Sequence, residues 1–198
     1  MANFTIMNKL GAVNNILAYG FLIIPTYLLV FTKSNPWMVV PLYLVFILYL
    51  SLKHVDKIKK IKIPDYIYFF GIFFVYMNII GEFFLRLYYT VPYYDKFLHL
   101  IVPIYLVFVA KLFIKKETKS NMFLMILLAF TVCILWEIFE YFIDSVSGTT
   151  VMRGVFINIK EMTGGSNDTV QDLLFSIIGS IIGGITVLYL NYQNFKKR

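Results

Sequence analysis

Glu137, Glu140 and Asp144 stand at i, i+3 and i+7, with Tyr141 at i+4, in the segment Trp136-Glu137-Ile138-Phe139-Glu140-Tyr141-Phe142-Ile143-Asp144. At the helical pitch these four positions share one face, while Trp136, Phe139 and Phe142 point elsewhere. The segment closes an apolar run that begins near Met122, so the stripe sets carboxylates inside or at the lip of a membrane helix. Each such residue costs at least about 2.5 kcal/mol at the bilayer centre, and a row of them needs partners or water. Carboxylates gathered in this way suit two kinds of chemistry, the holding of a divalent cation and general acid–base transfer of protons.

Other polar residues recur at the ends of other apolar segments. Asp95 and His99 are one turn apart in Tyr93-Tyr94-Asp95-Lys96-Phe97-Leu98-His99. That spacing suits two metal ligands or an Asp that orients an imidazole, and equally an Asp that caps a helix above a hydrogen-bonded His. Asp168 and Asp172 repeat it in Ser166-Asn167-Asp168-Thr169-Val170-Gln171-Asp172. Asp168 suits a helix N-terminus, but Asp172 lies past the first turn, where the dipole effect has faded. Glu82 can pair with Arg86 across one turn or join the other acids. Ser176, Gly179, Ser180, Gly183 and Gly184 form a ridge of small residues that lets another helix approach closely. The single Cys133 allows no disulfide and no thiolate cluster, and reads as a small buried residue.

The elements that must position these residues are membrane helices. The chain has 198 residues, 60% of them hydrophobic and 19% aromatic, against roughly 45–50% apolar for soluble domains. A span needs roughly 20 apolar residues. About six candidates follow: Val13 to Phe31, Trp37 to Leu52, Pro64 to Arg86, Phe97 to Ile114, Met122 to Asp144 and Thr169 to Asn191. Pro25 inside the first reads as a packing feature. The first span lacks the n-region and small-residue cleavage pattern of a secretory signal and is expected to be retained. The expected fold is all-α, one polytopic membrane domain over residues 1–198 with its motifs concentrated in 81–184.

Lys9, then Lys53 to Lys62, then Lys111 to Lys119, then Lys196 to Arg198 alternate with basic-poor loops, so the positive-inside rule puts both termini in the cytoplasm of a multi-pass cell-membrane protein. The net charge of +7 is then a topology signal and a contact with anionic lipid; nucleic-acid binding would need a soluble basic domain, which the chain lacks. His54 falls in a basic cytoplasmic loop as a solvated residue. The outer connection Ser145 to Asn167 is long beside helix connections of about 2–8 residues. Its Val151, Met152, Val155, Phe156 and Ile157 are too apolar for disorder, so it is expected to fold back as an interfacial lid hinged at Gly164-Gly165.

In this topology Glu82, Asp95, His99, Glu137, Glu140, Asp144, Asp168 and Asp172 all fall at outer helix ends. An imidazole among four or more carboxylates binds a hard or borderline divalent cation such as Mg²⁺, Mn²⁺, Ca²⁺ or Zn²⁺. Taken in order, Tyr94-Asp95-Lys96-Phe97-Leu98-His99, Glu137-x-x-Glu140 and Asp168-x-x-x-Asp172 with Gly179 after it resemble the VanZ-like superfamily, and most of all its YjdF branch of bacterial and archaeal membrane proteins. The chain departs from the VanZ pattern at Glu140, where Gln is usual, and at Ser176, where Asn is usual. The resemblance implies a helical membrane fold with its site at these motifs, and no particular reaction.

The expected function is metal-assisted hydrolysis or group transfer on a lipid-linked or cell-envelope substrate. His99, Asp95, Glu140, Asp168 and Asp172 would hold the divalent metal; Glu137, Glu140 and His99 would do the acid–base chemistry; Arg153 and Lys160 would meet a substrate phosphate. Two other classes compete. Transport or an ion or proton relay needs polar residues that continue to the inner side, where the fifth span offers only Thr131 and Cys133. A non-enzymatic envelope factor would use the acids as structural glue.

Overall fold

A computed structural model describes residues 2–31, 36–59, 63–79, 81, 84–114, 118–147, 154–158, 161–164 and 166–196. The described elements are α1 (Ala2–Phe31), α2 (Pro36–Lys59), α3 (Asp65–Ile79), α4 (Leu87–Thr90), α5 (Tyr94–Phe113), α6 (Lys119–Ser147), β1 (Gly154–Asn158), β2 (Glu161–Gly164) and α7 (Ser166–Lys196). Among the described residues, four helical stretches are long and apolar enough to cross a membrane: Leu10–Phe31, Tyr94–Phe113, Lys119–Phe142 and Asp168–Gln193. The helical membrane fold expected from composition is the one observed. Leu42–His54 is a shorter apolar stretch, in keeping with the second span being the shortest of the six candidates.

The chain divides into two compact units, Met1–Val75 and Tyr76–Arg198. In the first, α1 packs on α2 through buried Asn14, Ala18, Phe21, Pro25 and Leu28, facing a stripe of Leu42, Phe46 and Tyr49. Both sets recur at spacings of three and four, the stripe one helix presents to another. α1 continues through Pro25. The polar end of this unit is tied by Asn14 Nδ2 donating to the Asp65 carbonyl at 2.8 Å, Tyr49 OH donating to Asn15 Oδ1 at 2.6 Å, and a Lys53–Asp65 ion pair at 3.2 Å.

The second unit holds α5, α6 and α7. Its apolar core is Val107 and Ala110 of α5, Met122, Met125 and Ala129 of α6, and Val187 of α7. α3 leads into it, and beyond it Gly81 and Phe84, on the expected span to Arg86, are in π-helical turns. The Tyr94 hydroxyl donates to the Met77 carbonyl at 2.8 Å, an acceptor that a continuing helix would give to Gly81 N–H. A Cβ on Gly81 would lie 2.6 Å from the Tyr94 ring, so only glycine lets the ring in. Arg86, at φ 51, and Tyr93, at φ 63, bracket the short α4 in the left-handed region.

The connection between α6 and α7 contains a hairpin that hydrophobic pattern alone did not announce. β1 and β2 pair antiparallel with Gly154 opposite Gly164, Val155 opposite Thr163 and Phe156 opposite Met162, and the register shifts after Phe156. Val155-Phe156-Ile157 is a β-branched and aromatic run, suited to a strand. β1 runs beside α4 and β2 beside α7. Gly165, the second residue of the expected hinge, lies outside the described residues.

Candidate functional site

The site is built on the seam between α5 and α7. A Cβ on Gly179 would overlap the Leu100 carbonyl oxygen, and one on Gly183 would lie 3.1 Å from Ile104 Cα, so the small-residue ridge brings the two backbones into contact. That approach sets Asp168, Asp172 and Ser176, successive turns of α7, against Asp95, Lys96 and His99 of α5. Pro103, one turn after His99 in α5, has no N–H, which leaves the His99 carbonyl without its helical donor. α6 supplies Glu137 and Glu140 from a third side.

Lys96 is the centre of the aspartate half. Its side chain is 2% exposed, and its ammonium donates to Asp95 Oδ2 at 3.0 Å, to Asp172 Oδ1 at 2.6 Å and to Asp168 Oδ1. An ammonium has three N–H donors and no acceptor, so this lysine is saturated by three carboxylates. The expectation that helix capping and dipole explain Asp95 and Asp168 is replaced by a stronger cause, since both are ion-paired inside the seam.

His99 joins this half to the next. Its Nε2 lies 3.5 Å from Asp95 Oδ1 and 3.9 Å from Asp172 Oδ1; its Nδ1 lies 3.6 Å from Glu137 Oε1 and 3.3 Å from Ser176 Oγ. Each ring nitrogen therefore has carboxylate neighbours. Glu137 is 8% exposed, and its buried Oε1, on the His99 side, has no hydrogen-bond partner among the described residues. Glu140 Oε1 accepts from the Trp136 indole N–H at 2.7 Å.

Among the described residues, two sets of three bring ligand atoms within 4.8 Å of one another, Asp95 with His99 and Asp172, and His99 with Glu137 and Glu140. The chemistry of both sets suits a borderline or hard divalent cation, one imidazole nitrogen with two carboxylates. They differ in what else is present. The first shares its aspartates with Lys96; the second holds an acceptor still without a donor. Among the described residues of the cluster, five carboxylates face one ammonium and one imidazole. Even with the imidazole protonated, the fully ionised cluster keeps a negative surplus, which buried groups discharge by binding protons or a cation.

Of the residues singled out from sequence, Asp95, His99, Glu137, Glu140, Asp168 and Asp172 come together. Tyr141, expected on the acidic stripe, is 60% exposed. Trp136, expected to point elsewhere, bonds Glu140 because positions four apart lie within about 40° on a helix. Glu82, Arg153, Lys160 and the side chain of Asp144 lie outside the described residues. Lys96 and Ser176 were missed as site residues. The place of Lys96 between Asp95 and His99, just ahead of Phe97-Leu98, was the available signal. Cys133 is buried as a small core residue.

Apolar helices of membrane-crossing length around a buried ionic cluster define a helical integral membrane protein. The chain belongs to the family described as "Predicted membrane protein (DUF2238)", whose model matches residues 15–193. No curated protein and no solved structure matches it.

Proposed function

We propose that this chain is a metal-dependent membrane enzyme that carries out hydrolysis or group transfer on a lipid-linked or cell-envelope substrate, with His99, Glu137 and Glu140 as the cation site. The observation that carries this reading is Glu137 Oε1, buried without a hydrogen-bond partner among the described residues and 3.6 Å from His99 Nδ1. A buried acceptor in that state needs a proton, a water or a cation. A cation bound there would polarise a substrate oxygen and acidify a bound water.

The residues divide the work. Asp95 and Asp172 face Nε2 of His99 and fix the ring, as carboxylates do behind metal-bound histidines, leaving Nδ1 for the cation. Trp136 fixes Glu140. Glu137 is then ligand or proton acceptor, and Arg153 and Lys160 of the outer connection meet a substrate phosphate. In this assignment Asp95, Asp168 and Asp172 act behind the metal ligands and are not ligands themselves. We further read the chain as one membrane domain in the cell membrane, both termini cytoplasmic, from its alternating Lys and Arg. The ordered motifs relate its family to the VanZ-like superfamily and the YjdF branch.

A proton or ion relay across the bilayer would need polar groups along the middle of the seam. There the described residues include buried Val107, Ala110, Met125, Ala129 and Val187 with the buried Ser180, whose hydroxyl is turned back to the Ser176 carbonyl at 2.8 Å, and the next ionisable group on the α5–α7 seam is Lys111, whose Nζ donates to Asn191 Oδ1 at 2.6 Å. His99 and Lys111 are about 18 Å apart along α5, so the enzyme reading accounts for the cluster with fewer added groups.

The test is metal retention by detergent-purified protein equilibrated with Mn²⁺ or Zn²⁺ and desalted. Wild type is expected to retain about one ion per chain, the single site this reading builds. Glu137→Gln and Glu140→Gln keep volume and hydrogen bonding but not charge, and should bind more than about 100-fold more weakly, beyond the loss usual for outer-shell partners. A wild type that holds no ion and gains no thermal stability from either cation would remove this reading. Normal ion binding with unchanged cellular phenotype in both variants would leave the envelope-factor reading in its place.

A further inference from the structure

The two halves of the cluster are unequal in a way that has its own consequence. Asp95 Oδ2, Asp168 Oδ1 and Asp172 Oδ1 converge on Lys96 Nζ, whereas on the far side of His99 the Glu137 Oε1 atom has no donor among the described residues. Three carboxylate oxygens around one point are a donor set for a hard cation, and in this protein that point is filled by the chain's own ammonium. We propose that Lys96 is the resident cation of a cluster with places for two, and that it sets the site's specificity: it fills the aspartate place and confines an added divalent ion to His99, Glu137 and Glu140. This rests on the reading of the glutamate half as a cation site.

The argument is electrostatic and geometric. Asp95, His99 and Asp172 offer atoms close enough together for an ion, but Lys96 already takes one oxygen from each of the two aspartates. A divalent ion placed there would stand next to a fixed ammonium in a medium that screens poorly, and the repulsion scales with its double charge. The lysine cannot swing away to water, because its side chain is 2% exposed. Lys96 thus acts through the aspartates and through His99, as a positioning residue that also excludes a second metal.

The test counts Mn²⁺ on full-length protein in detergent, by metal analysis and by electron paramagnetic resonance. Lys96→Met removes the ammonium at similar length, and the expected count rises from about one to about two ions per chain, as in paired-metal sites, with the spectrum of an interacting pair. Equal counts in wild type and variant overturn the proposal, whatever that count is. A wild type that holds none refutes the glutamate-half reading instead, and a Lys96→Met protein that then gains an ion still supports the role of the lysine. If Lys96→Met cannot be purified, Lys96→Met/Asp168→Asn removes one charge of each sign and is read in the same way. It should gain the second ion about 10–100-fold more weakly, as Asp168 no longer contributes; a count equal to wild type overturns the proposal.

Discussion

Lys53 and Lys96 each meet an aspartate within an otherwise apolar helical unit, but the count of charges around them differs. Lys53 Nζ is 3.2 Å from Asp65 Oδ1 and 3.9 Å from the centroid of the Tyr68 ring, and the two charged side chains are 30% and 24% exposed. One cation faces one anion with an aromatic face beside it, and water reaches both. Lys96 is 2% exposed and faces carboxylates that are 11%, 6% and 4% exposed, with His99, Glu137 and Glu140 adjoining. The first arrangement is complete as it stands. The second is saturated at its lysine and still carries a negative surplus. Buried polar groups alone do not mark a site; a charge count that stays unbalanced among the described residues does, because the remainder calls for protons or a further cation.

The largest expected effect is at Lys96. Removing one partner from a buried ion cluster leaves uncompensated charge and costs about 3–5 kcal/mol. Lys96→Met should therefore lower thermal stability steeply in detergent without divalent cations, and Mn²⁺ should restore part of the loss. A loss below about 1 kcal/mol, the range of an exposed pair, would break the comparison, since Lys96 would then behave as Lys53 should.

How much of this was legible follows from what each signal reports. Helix periodicity and hydropathy report burial over many residues, so the long spans and the shared face of Glu137 and Glu140 could be read directly. The Asp95–His99 and Asp168–Asp172 spacings were legible too, as pairs on single helices. What spacing cannot report is which atoms converge between helices. α5 begins at Tyr94, three residues ahead of the apolar span from Phe97, so Lys96 lies in its first turn and outside the stretch that hydropathy marks. The reading lost the cation that balances three of the acids, and with it the difference between the two halves. The same limit hid the bond from Tyr94, distant in sequence, to the Met77 carbonyl. The hairpin was hidden because its strands are short and set in a connection long enough to suggest a loop.

An intermediate effect is expected at Gly179, which sets the depth of the seam. Its missing Cβ is where the Leu100 carbonyl sits, and backbone cannot rotate aside as a side chain can. Gly179→Ala should cost about 1–3 kcal/mol, the usual range for overpacking. It should also weaken cation binding, because α7 carries Asp168, Asp172 and Ser176 away from α5 as the backbones separate. Stability and Mn²⁺ affinity measured on the same preparation sharpen the comparison. If stability falls and affinity does not, the glutamate half is positioned by α6 and His99 alone and the aspartates have no part in orienting the ring.

The smallest effect is expected at Lys53. Lys53→Met leaves Asp65 partly open to water and in the first turn of α3, where the helix dipole favours a negative charge. The Asn14 bond goes to the Asp65 backbone carbonyl, so the tie between α1 and α3 does not depend on the lysine. What is lost is a partly exposed ion pair, worth up to about 1 kcal/mol, and a cation–π contact of about 0.5–1 kcal/mol, partly offset by the methionine's own contact with the Tyr68 ring. A double-mutant cycle of Lys53→Met with Asp65→Asn should give a coupling of at most about 1 kcal/mol. Neither variant should respond to Mn²⁺ differently from wild type. Were Lys53→Met as costly as Lys96→Met, charge balance would not be what separates the two lysines, and the surplus at the α5–α7 seam would lose its standing as the mark of a cation site.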